Sequence, residues 1–460
     1  MSAYGVIVIG AGVAGYSAAI RLAQLGAKVC IIEKAEIGGT CLNRGCIPTK
    51  VFLSSVALLS SLKKADDMGI KVAGVSLDFE RIIQKKQKVV ENLVKGVEYL
   101  LKNNQVEIIK GAAKIISPDT VQVSYLENTI KINAKHIVIA TGSEPDRPNW
   151  IRFGDQIITS DELLNLNTIP KSLMIIGGGA IGCEFAFIFS ALGAQVTLVE
   201  IMNQILPSEE EEITSRLFAQ MEKAGIKVYT KVKLDELFAN SDAMVGKLST
   251  GEEISAEKVL VAMGRVPNTK GLGLEAIGVK TEHGKIHVSE RLKTNIEGIY
   301  AIGDVVRGPM YAHKAALDGI TVAEIIMDVG RGVEYSSVPN CIFTIPEVAS
   351  VGLKEEDARK KYKVNVGRFM FAANGRAQTL GDTEGFVKIV GEEQTGRILG
   401  VHIIGREATE LINQASQAMK NNLTVKQLAD SVFAHPTLSE CIKEAAGDVT
   451  GEAIHKVKKC

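Results

Sequence analysis

Cys41 and Cys46 stand with four residues between them in GGTCLNRGCIPTK, residues 38–50, a segment flanked and divided by glycines. The residues that follow, VFLSSVALLSSLKK, have the pattern of a helix. The two cysteines therefore fall on or just before a helix N-terminus, where the dipole favours a thiolate. Zinc would want more ligands, and no nearby C-x-x-C or histidine pair supplies them. Two readings stay open on these residues alone: a redox disulfide, which needs only this pair, and two packed free thiols.

A second chemical signal is a glycine pattern that occurs twice. VIVIGAGVAGYSAAIRLAQLGAKVCIIE, residues 6–33, superposes on LMIIGGGAIGCEFAFIFSALGAQVTLVE, residues 173–200, at a constant offset of 167. Gly10, Gly12, Gly15 and Glu33 fall on Gly177, Gly179, Gly182 and Glu200. Each copy reads as strand, G-x-G-x-x-G, helix and a second strand ending in Glu. The first glycine allows a tight strand-to-helix turn, the second lets a pyrophosphate approach the backbone, and the third lets helix pack on strand. The pyrophosphate then meets free N–H groups at the positive end of a helix. The acid comes 23 residues after the first glycine in each copy, placed to accept from ribose hydroxyls. A lone copy could be a glycine-rich turn; two copies at identical spacing predict two bound dinucleotides.

Glu200 also bears on the nicotinamide. A 2′-phosphate would meet a carboxylate there and would want an arginine. Residues 201–215, IMNQILPSEEEEITS, contain no Lys or Arg, which favours NAD over NADP. The acidic run Glu209–Glu212 reads as a solvated helix start rather than a site.

These signals sit in a chain of 460 residues, 46% hydrophobic and 23% charged, with 44 glycines. That is globular composition, long enough for about three domains and for a large core without disulfide staples. Lys+Arg 53 balances Asp+Glu 53, and aromatics are 5%. Neither a basic footprint nor a stacking platform for nucleic acid is present, and no basic run suggests an anionic membrane. Seven cysteines, an odd number, do not make a secreted disulfide framework. The first Lys or Arg is Arg21, so neither a signal nor a transit peptide is indicated. The most apolar stretch, Leu173–Val199, holds Glu184 and five glycines, and reads as buried strand and helix rather than a membrane span. The expectation is a soluble cytoplasmic protein.

A nucleotide fingerprint followed by G-G-T-C-x-N-x-G-C-x-P resembles the pyridine nucleotide–disulfide oxidoreductases. Further matches run the length of the chain: Thr141-Gly142 after HIVIA, Gly264-Arg265-Val266-Pro267-Asn268 after VLVAM, and Tyr300-Ala301-Ile302-Gly303-Asp304. Ala312-His313-Lys314-Ala315 and His435-Pro436-Thr437-Leu438-Ser439-Glu440 complete the set. Within the family, Cys41–Lys50 and the 312–315 run look like the members that oxidise dihydrolipoamide. The arginines of glutathione reductases and the C-terminal redox pairs of mercuric and large thioredoxin reductases are missing. Tyr311 and Asp318 stand where Leu and Glu are expected, and neither carries an assigned role; nor does His313.

The resemblance implies an α/β fold with two Rossmann-like dinucleotide-binding domains and a C-terminal α+β dimerisation domain. The boundaries expected are 1–145 for FAD, 146–270 for NAD, 271–337 returning to the FAD domain, and 338–460 for the interface. Residues 85–102 read as an amphipathic helix covering the sheet. CIFTIPEVASVGL, VNVGRFMFA and FVKIVGEEQTGRILGVHII read as strands, with helices over 407–421 and 424–433.

It also implies the site. Gly10, Gly12, Gly15, Glu33, Lys50, Thr141, Gly142, Asp304 and Ala312 would bind FAD; Gly177, Gly179, Gly182, Glu200 and Gly264 would bind NAD. Cys41 would exchange with substrate sulfur and Cys46 would face the flavin. Lys50, paired with Glu184, would hold a cation by the flavin N5. His435, held by Glu440, would be the base that takes a thiol proton. Cys30, Cys183, Cys341, Cys441 and Cys460 would be structural or tail residues, and no metal is expected. The implied reaction is FAD-dependent oxidation of protein-bound dihydrolipoamide through a Cys41–Cys46 disulfide, with NAD as acceptor, by a homodimer. No lipoyl domain is visible, so the lipoyl group would come from a protein of a 2-oxoacid, acetoin or glycine-cleavage complex. Reduction of another small disulfide, or a non-catalytic flavin-binding subunit, are the alternatives. All four of Cys41, Cys46, His435 and Glu440 are present, which tells against a relic.

Overall fold

The computed structural model describes residues 3–241 and 243–457, and Cys460 lies outside them. The chain forms two compact units. The first takes the residues up to Pro148 with Thr159–Thr168 and Gly264–Glu334; the second takes Asn149–Ile158, Ile169–Met263 and everything from Tyr335.

In the first unit, strands Glu107–Lys110, Val29–Glu33, Ala3–Ile9 and Asn128–Ile139 lie side by side in parallel. Ile299–Ala301 adds a parallel partner to the end of Asn128–Ile139, bringing residues near 300 onto the first sheet. An antiparallel meander, Ala112–Ser117 and Thr120–Tyr125, completes it. Val6, Ile7, Val8 and Ile31 are all essentially unexposed, the continuous apolar run of strands covered on both faces. Helix Val13–Gln24 packs along helix Ala312–Ile326 at very short range. A Cβ on Gly319 would stand 2.4 Å from the Ala14 carbonyl oxygen, so this crossing depends on glycine.

The predicted amphipathic helix runs over Phe79–Asn103. Its Val97 and Leu101 enter the core, but it lies mainly on helix Cys46–Lys63 rather than on the sheet, and Leu93, Tyr99 and Leu100 are exposed. Among the described residues one helical stretch, Gly39–Lys63, is long and apolar enough to cross a membrane by composition. It breaks at Gly45, and its Leu42, Val51, Phe52 and Val56 are buried in the unit.

In the second unit, Lys227–Tyr229, Gln195–Val199, Ser172–Ile176, Lys258–Val261 and Ile157–Ile158 form a parallel sheet. Leu173–Val199 is thus strand, helix Ala180–Ala191 and strand. From Asn340 a five-stranded antiparallel sheet follows, with helices Ala408–Lys420, Val425–Asp430 and Glu440–Thr450 against it.

Candidate active site

The two glycine fingerprints fold alike, bond for bond. Gly10 N–H donates to the Ile32 carbonyl and Gly177 N–H to the Val199 carbonyl, each at 2.8 Å. Both glycines have positive φ, 101° and 108°. A Cβ on them would stand 2.4 Å from the carbonyl oxygens of Ala140 and Ala262, so neither turn admits a side chain. A Cβ on Gly15 or Gly182 would stand 1.8 or 2.0 Å from the oxygen of the first glycine, which fixes how closely helix meets strand. At Gly12 a Cβ would meet nothing nearer than 3.9 Å, and at Gly179 nothing within 4 Å. Neither helix has a side-chain cap on its N-terminus. Open space before uncapped N–H groups fits a pyrophosphate, so both cradles fit a dinucleotide.

The strand-end acids also match. Glu33 accepts from the N–H groups of Ala11 (2.6 Å) and Ala35 (2.8 Å). Glu200 accepts from Gly178 (2.5 Å) and Met202 (2.7 Å). Each acid steadies its own glycine loop, and each carboxylate oxygen keeps a second lone pair for a ribose hydroxyl.

Cys46 is the first residue of helix Cys46–Lys63, and Cys41 lies in the short helix Gly39–Arg44 before it. Asn43 holds that short helix by donating to the Ile37 and Gly39 carbonyls, both at 2.9 Å. Gly38 donates to Ala11 at 2.8 Å, and a Cβ on Gly39 would stand 2.7 Å from Gly12 Cα. The cysteine turn therefore rests directly on the first nucleotide loop. The Cys41 thiol is pushed well above its ordinary pKa, first by its hydrogen bond with Cys46 and then by burial, while Lys50 acts the other way. Tyr16, on the first nucleotide helix, also feels both sulfurs: burial, then Cys41 and Cys46, raise its phenol. No sequence pattern marked Tyr16.

Ser143 links two further side chains in the first unit. Its hydroxyl donates to Asp304 Oδ2 (2.7 Å) and accepts from Arg265 Nε (2.8 Å), while Arg265 also donates to the Ser143 carbonyl (2.7 Å). Burial lowers the Arg265 guanidinium, and Asp304, Asp161 and Cys46 oppose it. Thr141 donates to the Asn268 carbonyl (2.6 Å), and Asn268 N–H to that of Gly142 (2.9 Å). Gly264, at φ 124°, lies in this first unit and accepts from Asp146 N–H. Ala312 opens helix Ala312–Ile326. One turn in, Lys314 and Asp318 form a 2.8 Å ion pair with no exposure at all. Lys314 donates to the Gly303 carbonyl and Asp318 accepts from Gly303 N–H, both at 3.0 Å. Asp318, a departure from the family pattern, thus helps to hold the peptide beside Asp304. The signal was its i, i+4 spacing from Lys314.

In the second unit, Glu440 Oε1 lies 2.9 Å from His435 Nδ1, and its Oε2 accepts from Thr437 N–H at 2.9 Å. Burial works against the Glu440 charge, but the Thr437 N–H and His435 outweigh it, and its pKa lies below the ordinary value. With Nδ1 engaged, the imidazole presents Nε2 outward, and His435 is 78% exposed. Glu184, buried on the second nucleotide helix, accepts from Phe343 N–H at 2.9 Å. Lys50 and Glu184 belong to different compact units.

The acidic run 209–212 is a solvated helix start only in its second half, where Glu211 and Glu212 open the helix and are exposed. Glu209 and Glu210 are buried. Lys388, itself 2% exposed, is ringed by Glu210 (3.1 Å), Glu212 (3.0 Å) and Glu355 (2.9 Å). The helix begins only at Glu211, so the first two acids turn inward, Glu210 to Lys388 and Glu209 to the Asn340 amide, which donates to it at 2.7 Å. Cys30, Cys183 and Cys441 are buried, and burial raises each thiol, Cys30 and Cys441 to about 12. Cys183 lies in the first turn of its helix rather than in the glycine turn, donating to Gly178 at 3.4 Å. Among the described residues no group of three or more His, Cys, Asp or Glu is placed to hold a metal.

The chain matches the pyridine nucleotide-disulphide oxidoreductase family over residues 4–319, and the dimerisation domain of that family over 338–446. It is 44% identical over 465 residues to the dihydrolipoyl dehydrogenase of Thermus scotoductus, covering 99% of each chain. It is 42% identical over 463 residues to the mitochondrial dihydrolipoyl dehydrogenase of Dictyostelium discoideum, covering 98% of this chain and 95% of that one. Among solved structures, LpdA from Mycobacterium tuberculosis superposes with a TM-score of 0.91 at 26% identity, over 97% of this chain and 99% of that one. The HOCl-induced flavoprotein disulfide reductase RclA of Escherichia coli, as its Cu(II) complex, gives 0.88 at 30%, with the same coverage.

Proposed function

Since the chain belongs to the pyridine nucleotide-disulphide oxidoreductase family, we infer that it carries out the dihydrolipoyl dehydrogenase reaction with FAD and NAD. It oxidises dihydrolipoamide to lipoamide and delivers the two electrons to NAD. The observation that carries this reading is the cysteine pair at a helix N-terminus, resting on the first nucleotide loop, in a chain about as long as relatives of that activity.

Bound FAD supplies a two-electron acceptor between the cysteine dithiol and NAD. Gly10, Gly12, Gly15, Glu33, Lys50, Thr141, Gly142, Asp304 and Ala312 hold it, and Gly177, Gly179, Gly182, Glu200 and Gly264 hold NAD. The chain's own residues perform the sulfur chemistry. His435 Nε2 takes the proton from one substrate thiol while Glu440 holds Nδ1 and balances the imidazolium. That thiolate attacks Cys41 of the Cys41–Cys46 disulfide. The enzyme S–S bond breaks, and the electron pair leaves on Cys46, where the helix N-terminus favours negative charge. The second substrate thiol, deprotonated in turn, attacks the substrate sulfur now joined to Cys41. The substrate disulfide closes, and Cys41 leaves with the electron pair and takes up a proton. A Cys41 thiol with a raised pKa keeps that proton. Lys50 would supply a cation that favours the anionic reduced ring, and Glu184 a carboxylate to balance charge.

The dimerisation domain makes the enzyme a homodimer, with Cys41 and Cys46 from one subunit facing His435 and Glu440 of the other. Its partner is a cytoplasmic lipoyl-bearing protein of a 2-oxoacid, acetoin or glycine-cleavage complex. The test is a comparison of dihydrolipoamide with reduced glutathione, each with NAD and NADP. Turnover confined to dihydrolipoamide and NAD supports the reading. Preference for glutathione, or a purified protein without flavin, would sink it.

A further inference from the structure

We propose that Asn374 and Gln414 are positioning residues for the His435–Glu440 pair, holding its turn from two sides. The inference rests on the proposed role of His435 as base. His435 is 78% exposed, so little packing fixes the imidazole in its own unit, and hydrogen bonds must do so. Those bonds form a short chain. His435 is held by Glu440, and Glu440 by Thr437 N–H. The Thr437 hydroxyl closes the turn onto the Ala434 carbonyl at 2.8 Å. The Thr437 carbonyl, in turn, accepts from Asn374 Nδ2 at 3.0 Å.

Asn374 is suited to that task because its own amide cannot rotate. It is 4% exposed, and its Oδ1 accepts from Ala377 N–H at 2.9 Å, capping helix Gly375–Leu380. One planar group therefore ties a helix start to the turn that carries the base. On the other side, Gln414 Nε2 donates to the Ser439 hydroxyl at 2.7 Å, one residue before Glu440. Gln414 Oε1 is buried with no hydrogen-bond partner among the described residues. A buried amide oxygen left unsatisfied is costly, and an apolar side chain would avoid that cost. Its presence follows if the donor on the same amide is needed to hold Ser439 and, through it, Glu440.

The test uses the FAD-loaded enzyme. Asn374→Ser keeps a capping oxygen and removes the donor to Thr437. At pH 7 its dihydrolipoamide turnover should fall by between about 10- and 100-fold, the scale for a catalytic group displaced by about 1 Å. NADH-driven reduction of ferricyanide, which takes no proton from a thiol, is the reference for each variant. The dihydrolipoamide deficit should narrow towards pH 9.5, because substrate thiols then ionise without a base. Combined with His435→Gln, Asn374→Ser should cost nothing further, since both act through one imidazole. Gln414→Met should melt no lower than wild type yet lose several-fold in dihydrolipoamide turnover, a pattern no folding defect produces. Losses that add to that of His435→Gln, a deficit constant with pH, or turnover within twofold of wild type in both variants would overturn the proposal. A wild type that ignores dihydrolipoamide overturns the functional reading instead, and the same cycle run on the dithiol it does oxidise still decides Asn374.

Discussion

Replacing Asp318 by Asn separates charge from size in the core of the first unit. Asp318 and Lys314 have no exposed side-chain surface and stand 2.8 Å apart. Asn has nearly the shape of Asp and can still accept from Gly303 N–H, but it removes the carboxylate charge 2.8 Å from the buried Lys314 ammonium. Removing one partner of a buried pair costs about 3–5 kcal/mol. Asp318→Glu keeps the charge and adds one methylene, an overpacking cost of about 1–3 kcal/mol. The isosteric change should therefore be the more damaging one. At about 2–4 °C per kcal/mol for a cooperative unit of 150–250 residues, Asn should lower the melting temperature by roughly 6–20 °C. The assay is the melt of both FAD-loaded variants at one scan rate, with flavin release followed by fluorescence. Flavin should leave Asp318→Asn early, because the pair holds Gly303 beside Asp304. If Glu proves worse than Asn, packing and not charge governs the site, and this account of the pair is wrong.

NAD should be preferred over NADP by at least tenfold in kcat/KM, about 1.4 kcal/mol, because Glu200 would face a 2′-phosphate; equal efficiency refutes this. Glu212 is held down to about 2, first by Arg368 and then by Lys388, against burial. A depressed carboxylate contributes stability that is present above its unfolded pKa, about 4.3, and lost as pH falls through about 2. Glu212→Gln should flatten the fall in melting temperature over that window, by a small amount that salt reduces, since Glu212 is 43% exposed; parallel curves count against it. Cys46→Ser and His435→Ala chains, inactive alone, should regain roughly a quarter of wild-type activity when mixed at random, since half the dimers hold one intact composite site. Isolated mixed dimers no more active than either parent would place the whole site in one chain.

The repeat was legible because a pyrophosphate-binding turn tolerates almost no variation. Gly10 and Gly177 each meet a backbone oxygen that forbids a side chain, and the strict offset of 167 follows. The cysteine pair was legible for a similar reason, since Gly39 must press against Gly12. What stayed hidden were contacts between residues far apart in sequence whose types are ordinary. Arg265, Ser143 and Asp304 carry no spacing signal, and Asn374 looks like any helix cap until Thr437 is seen beside it. Glu209 and Glu210 misled because an acidic run is usually solvated; the partners that bury them, Asn340 and Lys388, lie in strands roughly 130 and 180 residues on. Residues 407–421 were close to helix Ala408–Lys420, with Glu407 excluded by its positive φ of 57°.

Electrons from dihydrolipoamide must enter through Cys41 and Cys46, and a thiol count tests this most directly. Oxidised enzyme, alkylated to block accessible free thiols, is given one equivalent of dihydrolipoamide per chain without oxygen and alkylated again with a heavy reagent. Mass spectrometry should find the heavy label at Cys41 and Cys46 and at no other cysteine, with new long-wavelength absorbance that Cys46→Ser abolishes while retaining FAD. Heavy label at Cys341 or Cys441 instead, or a band that survives in Cys46→Ser, would contradict the account.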